Sequence, residues 1–177
     1  IAGVVLLVAG AWHIGYLAFT VPGRSLFRDL LPRWRDLSDP FLVLKYNLGL
    51  SPTKPAFGRF SYIEKAEYWA LVWGTLLMGV TGAFLWFENT SISLITKLGF
   101  DISRTVHFYE AILATLAIIV WHFYFVIFNP DIYPMNIAWL TGRMSEGEML
   151  EEHPLQLAQL KANETKPTPS SDSPPAK

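Results

Sequence analysis

Cysteine is absent from the chain. That removes disulfides, thiolate-held iron–sulfur clusters and covalently attached c-type haem from what it can carry by itself. Net charge is nearly absent too: 14 basic residues face 15 acidic ones, which leaves no cationic excess to hold a nucleic acid. No run alternates apolar and polar residues as the strands of a membrane barrel would. The opening "IAGVVLLVAG" has neither a charged leader nor a small-residue cleavage motif, so it does not read as a signal peptide. A chain that starts on isoleucine is expected to be processed, or to continue upstream. Histidine is scarce, with four in 177 residues, so any imidazole chemistry has few possible sources.

Apolar sequence is plentiful. Half the chain is hydrophobic (51%), 15% is aromatic, and the mean hydropathy is +0.29. These residues are clumped into three runs, about 1–21, 63–87 and 103–128, each long enough to cross a hydrocarbon core of about 30 Å as a helix of about 20 residues. A backbone in lipid must satisfy its own hydrogen bonds, which selects helices. The fold expected is therefore an all-α transmembrane helix bundle, three spans visible and a fourth expected in the complete protein. Ser61 with Glu64 forms a capping box at the start of the second span, and Ser145 with Glu148 forms another beyond the third. Residues 1–143 read as the membrane domain and 144–177 as a C-terminal helix with a flexible tail, since "ANETKPTPSSDSPPAK" has a disordered composition.

The first connection, residues 22–60, repeats Leu26, Phe27, Leu30, Leu31 and Trp34 at helical spacing among arginines, as short amphipathic helices in a headgroup layer would. A solvated loop packed on its own protein fits that pattern as well. The connection between the second and third spans is short, about 15 residues by these bounds. Seven basic residues lie in the first connection (Arg24, Arg28, Arg33, Arg35, Lys45, Lys54, Arg59) and two, Lys97 and Arg104, on the other side. The positive-inside rule then puts the first connection and the C-terminus in the cytoplasm. Trp12, Tyr16, Tyr68, Trp69, Trp86, Trp121 and Tyr124 fall near span ends, where an aromatic belt belongs.

Three histidines fall in or beside spans. Between His107 and His122 in "HFYEAILATLAIIVWHF" lie fourteen residues, of which Glu110 alone is charged. Fifteen residues advance about 22 Å along a helix and exceed four turns by about 60°, so both rings face one side, one per leaflet. His13 falls late in the first, antiparallel span, at the depth of His122. Two neutral imidazoles facing each other are the axial ligands a b-type haem requires. Small residues give the macrocycle room: Ala111, Ala114 and Thr115 beside His107, Ala2, Ala9 and Gly10 beside His13, and Gly74, Gly79 and Gly82 on the histidine-free second span. The competing reading of each histidine is an interfacial hydrogen-bonder, and of the small residues a helix-packing device. His153, in "EEHPL", reads as a surface residue near a helix start.

Two stretches carry a resemblance: "FGRFSYIEKAEYWALVWGTLLMGVTGAFLWF" and "HFYEAILATLAIIVWHFYFVIFNPDIYPMNIAWLTGRMSEGEM". They resemble bacterial di-haem cytochrome b subunits, similar to the gamma subunit of membrane-bound formate dehydrogenase and the cytochrome b of nickel–iron hydrogenases. Relatives with the "YPMN…WLTG" ending often accompany multihaem c-type cytochromes. Over residues 1 to 155 the resemblance implies a four-helix core in the bacterial inner membrane with two b haems, one near each face. It implies electron exchange with quinone or menaquinone, and a redox partner such as a multihaem c-type cytochrome or an iron–sulfur protein. The two histidines of the family's last core helix match His107 and His122. The family pattern has four ligands and three candidates stand here, so the second ligand at His107 is expected from just before Ile1 or from an upstream helix. Two functions compete with electron transfer: a haem-free anchor for a catalytic subunit, and a transporter or proton relay through the same histidines.

Overall fold

The computed structural model describes residues 1–130, 133–135 and 137–165. Most of the proline- and serine-rich tail, residues 166–177, lies outside the described residues. Helix α1 (Ala2–Phe19) is followed by α2 (Val21–Leu30) and α3 (Trp34–Asn47). After the irregular segment 48–61 come α4 (Tyr62–Trp86) and α5 (Glu88–Leu116). Three short helices follow among the described residues: α6 (Ala138–Thr141), α7 (Glu146–Glu152) and α8 (Pro154–Glu164). Among the described residues there is no strand. Three helices, α1, α4 and the element running from Glu88 to Phe128, are long and apolar enough to cross a membrane. Helices α1 and α5 both pack on α4.

Both expected capping boxes form. Glu64 Oε2 accepts from Ser61 N at 2.7 Å, and Glu148 Oε2 accepts from Ser145 N at 2.8 Å, each closing an otherwise orphan donor. The Ser145 hydrogen bonds hold the Glu148 carboxyl below its usual range. The arginine-rich connection forms two helices, α2 and α3, and its polar residues fasten them to the start of α4. Lys65 Nζ, buried, lies 2.9 and 2.8 Å from the two oxygens of Asp36. Arg59 pairs with Asp29 at 3.1 Å, and Trp69 Nε1 donates to the Leu30 carbonyl at 2.9 Å.

Two elements depart from the sequence reading. The third span's helix starts well before the expected Ser103: α5 begins at Glu88, and the break falls at Thr96, whose φ of 67° and ψ of 166° lie outside helical space. Residues 83–98 contain neither glycine nor proline, so nothing stops the backbone from coiling. Phe100, 1% exposed, anchors this stretch beneath Lys97 and Arg104. The third span also widens beyond Leu116 into π-helical turns, Ala117–His122 and Tyr124–Phe128. Each residue of a wider turn rotates by less than an α step, so the excess of about 60° between His107 and His122 shrinks.

His153 is a correction. It is buried, 8% exposed. Its Nδ1 lies 2.8 Å from the Gly58 carbonyl, while Leu155 N donates to the Phe57 carbonyl at 3.1 Å. These two bonds dock the α7–α8 unit on segment 48–61, a long-range contact that the local sequence "EEHPL" does not disclose.

Candidate functional site

Helix α4, which carries no histidine, receives all three span histidines. Near its first turns His13 Nε2 stands 3.1 Å from the Tyr68 hydroxyl, with the rings tilted and 5.8 Å apart. On the adjoining face His122 Nδ1 lies 3.7 Å from Glu67 Oε2. Glu67 and Tyr68 are neighbours in sequence, about 100° apart around the helix. His13 and His122 therefore converge on one end of α4 from different sides, as their matched depth suggested.

At the other end His107 meets α4 at Thr81 and Gly82. Its Nδ1 is 2.8 Å from Thr81 Oγ1, and that oxygen stands 2.7 Å from the Leu77 carbonyl. A carbonyl only accepts, so the single hydroxyl proton of buried Thr81 goes to Leu77. The same oxygen then accepts from His107 Nδ1–H. This puts a proton on His107 Nδ1 and leaves Nε2 without a hydrogen bond among the described residues, the orientation in which metal-binding histidines are usually held. Gly82 makes the approach possible: a Cβ there would sit 3.2 Å from His107 Cε1.

The small residues divide by neighbour. Gly82 admits the His107 ring, and Gly74 admits a carboxylate, since a Cβ at Gly74 would meet Glu110 Oε1 at 2.9 Å. A Cβ at Gly79 would meet Leu7 Cδ2 of the first span at 3.9 Å, and one at Gly10 would meet nothing within 4 Å. Ala111 is half-buried and Ala114 exposed on α5. The α4 glycines thus accept side chains of α1 and α5.

The donor chemistry suits a b-type haem unequally at the three positions. His107 turns Nδ1 to the Thr81 hydroxyl and His122 turns Nδ1 toward the Glu67 carboxyl, 3.7 Å away, and both leave Nε2 without a hydrogen bond among the described residues. At His13 it is Nε2 that meets Tyr68, so iron at that atom requires the hydroxyl to yield. The residues that reading the sequence alone missed are Thr81 and Glu67. One signal was available: α4 and α5 are antiparallel, and Thr81 to Glu67 spans 14 residues while His107 to His122 spans 15, so partners of the two histidines had to recur on α4 at matching separation.

No curated protein and no solved structure matches the chain. One family does match it, that described as prokaryotic cytochrome b561, over residues 1–137. With three membrane-length helices and histidines gathered on the middle one, the chain belongs to the prokaryotic cytochrome b561 family, a multi-pass membrane b-type cytochrome of electron transfer.

Proposed function

We propose that this cytochrome passes electrons between the quinone or menaquinone pool and a redox partner subunit, through b haems held at two depths. His107 is the ligand at the Thr81 end. His122, with His13 opposite, holds the haem at the Glu67–Tyr68 end. Members of the family bind haem b, and haem supplies reversible one-electron iron chemistry when bound. The chain's own contribution is to present imidazole nitrogens, to exclude water by burial among apolar helices, and to orient the rings through α4.

The observation that carries this reading is the Leu77–Thr81–His107 relay, which leaves Nε2 without a hydrogen bond among the described residues, in a span where an idle imidazole has no water to bond. Quinone is proposed to bind beside the His13–His122 end, where Trp12 and Trp121 expose large aromatic surfaces at the ends of two spans. The partner is proposed to be a multihaem c-type cytochrome or an iron–sulfur protein, since the chain, lacking cysteine, carries no such centre itself.

The test is pigment. The purified protein is expected to show a haem Soret band that sharpens on reduction, and His107→Ala and His122→Ala are each expected to remove one haem's worth of absorbance. A colourless protein overturns the proposal in favour of a haem-free anchor. Full haem content in both variants overturns the ligand assignment.

A further inference from the structure

The two histidines of α5 share a helix but not a chemical background. Behind His107 Nδ1 is the Thr81 hydroxyl at 2.8 Å, a neutral acceptor whose own proton is committed to Leu77. Behind His122 Nδ1 is the Glu67 carboxyl, Oε2 at 3.7 Å. The other oxygen of that carboxyl, Oε1, is buried and has no hydrogen-bond partner. The nearest cation in sequence, Lys65, is already committed to Asp36. Among the described residues no lysine or arginine pairs with Glu67, and its one charged-group contact is the His122 ring.

We propose that α4 poises the two ends of the molecule at unequal potential, with Glu67 behind His122 making that site the stronger reductant and Thr81 behind His107 making the other the acceptor. This rests on the proposed ligation by His107 and His122. A carboxylate 3.7 Å from Nδ1, beyond direct hydrogen-bond reach, acts through space: its negative charge raises the electron-donating strength of the imidazole. That stabilises the ferric state of whatever iron its Nε2 holds. A hydroxyl acceptor does this far less. Charge matters here because the site lies among apolar helices, where screening by water is weak. One electron leaving the His122 site for the His107 site is then favoured, with no bond broken and no proton moved. Electrons thus run from the end where quinol is proposed to bind toward the opposite end. Glu67 and Thr81 are positioning residues in this scheme, since neither is a ligand.

A spectroelectrochemical titration of the purified, haem-loaded protein tests it. Two midpoints are expected, and the single-haem variants His107→Ala and His122→Ala assign them, with the lower at His122. Glu67→Gln is expected to raise that lower midpoint by about tenfold in the reduction equilibrium, ~59 mV for one electron, leaving the upper within about twofold. Glu67→Asp, which keeps the charge, is expected to leave both nearly in place. Thr81→Val is expected to alter the low-spin EPR signal and occupancy of the His107 haem alone, and Thr81→Ser to restore them. A higher midpoint at His122, or a Glu67→Gln protein with both midpoints unmoved, overturns the inference. If Glu67→Gln does not fold, the order of the midpoints in the two single-haem variants still decides it. Retention of both haems in His107→Ala and His122→Ala would instead overturn the underlying ligation.

Discussion

A single hydrogen atom at Gly82 separates α4 from the His107 ring. Adding a methyl group places carbon 3.2 Å from His107 Cε1 and 3.8 Å from Nδ1, and the imidazole cannot bend away as a flexible chain would. The ring must leave Thr81 or the helices must part, an overpacking strain of about 1–3 kcal/mol. Gly82→Ala is therefore expected to lower haem occupancy at this end and to reduce thermal stability, measured by absorbance and melting in detergent. Gly147→Ala in α7, whose Cβ would meet nothing within 4 Å, is the control expected to lower neither. These residues also mark the reach of the sequence. Histidines in an apolar run stand out because imidazole is costly in lipid. Thr81 does not stand out, since threonines in membrane helices commonly bond their own backbone. Its second bond, to His107, depends on which residues of α4 and α5 come level, and that is fixed only in three dimensions.

At the scale of elements, the α7–α8 unit is held to segment 48–61 by His153 and Leu155, and one carboxylate weakens the hold. Glu152 has a pKa raised above its ordinary value, chiefly because burial penalises its charge, with Glu64 and Glu148 adding repulsion while His153 and Lys54 oppose. A raised value means that the docked state binds the proton more tightly than the free one. The associated stabilisation is fully present below the ordinary value of 4.5 and is lost as pH rises through the docked-state value. Glu148 runs the other way: its capping contribution is present above 4.5 and lost as pH falls through its lowered value. Glu152→Gln, uncharged at every pH, is thus expected to protect α7–α8 from proteolysis better than the native residue near neutrality. The advantage should vanish as pH approaches 4.5, and a constant difference across that range would contradict this account. The α7 start at Ser145 was legible from its capping box. The docking was not, because a histidine bonded to a carbonyl 95 positions away leaves no local pattern. Short amphipathic helices are one of two readings the first connection allows, and its periodic residues, Leu26 to Trp34, point to α2 but reach only the first residue of α3. The helical stretch before Ser103 was not legible, because its apolar residues lack a membrane-length run.

The molecule as a whole inverts the usual burial of a globular chain. Among the described residues the buried apolar side chains are Leu30, Phe100 and Leu157, while Val5, Val8, Leu71, Leu76, Leu113 and Val120 along the spans are exposed. Apolar surface on that scale belongs against lipid or another apolar protein. The polar contacts cluster instead where α2, α3 and the C-terminal helices meet the start of α4, at Asp29, Asp36, Lys65 and His153. That end carries the first connection, with seven basic residues against two on the far side. We propose that this end faces the cytoplasm, because cationic loops near a span are retained there. The absence of native cysteine allows a direct check with single substitutions that leave every charge in place. Thr53 lies in the first connection, and Asn89 lies near the start of α5 beyond the opposite end of α4. Both are exposed. In intact spheroplasts a membrane-impermeant maleimide is expected to label Asn89→Cys, and to label Thr53→Cys only after permeabilisation. The reverse pattern would turn the molecule over, put the Glu67 end outside, and reverse the sense of electron flow across the membrane.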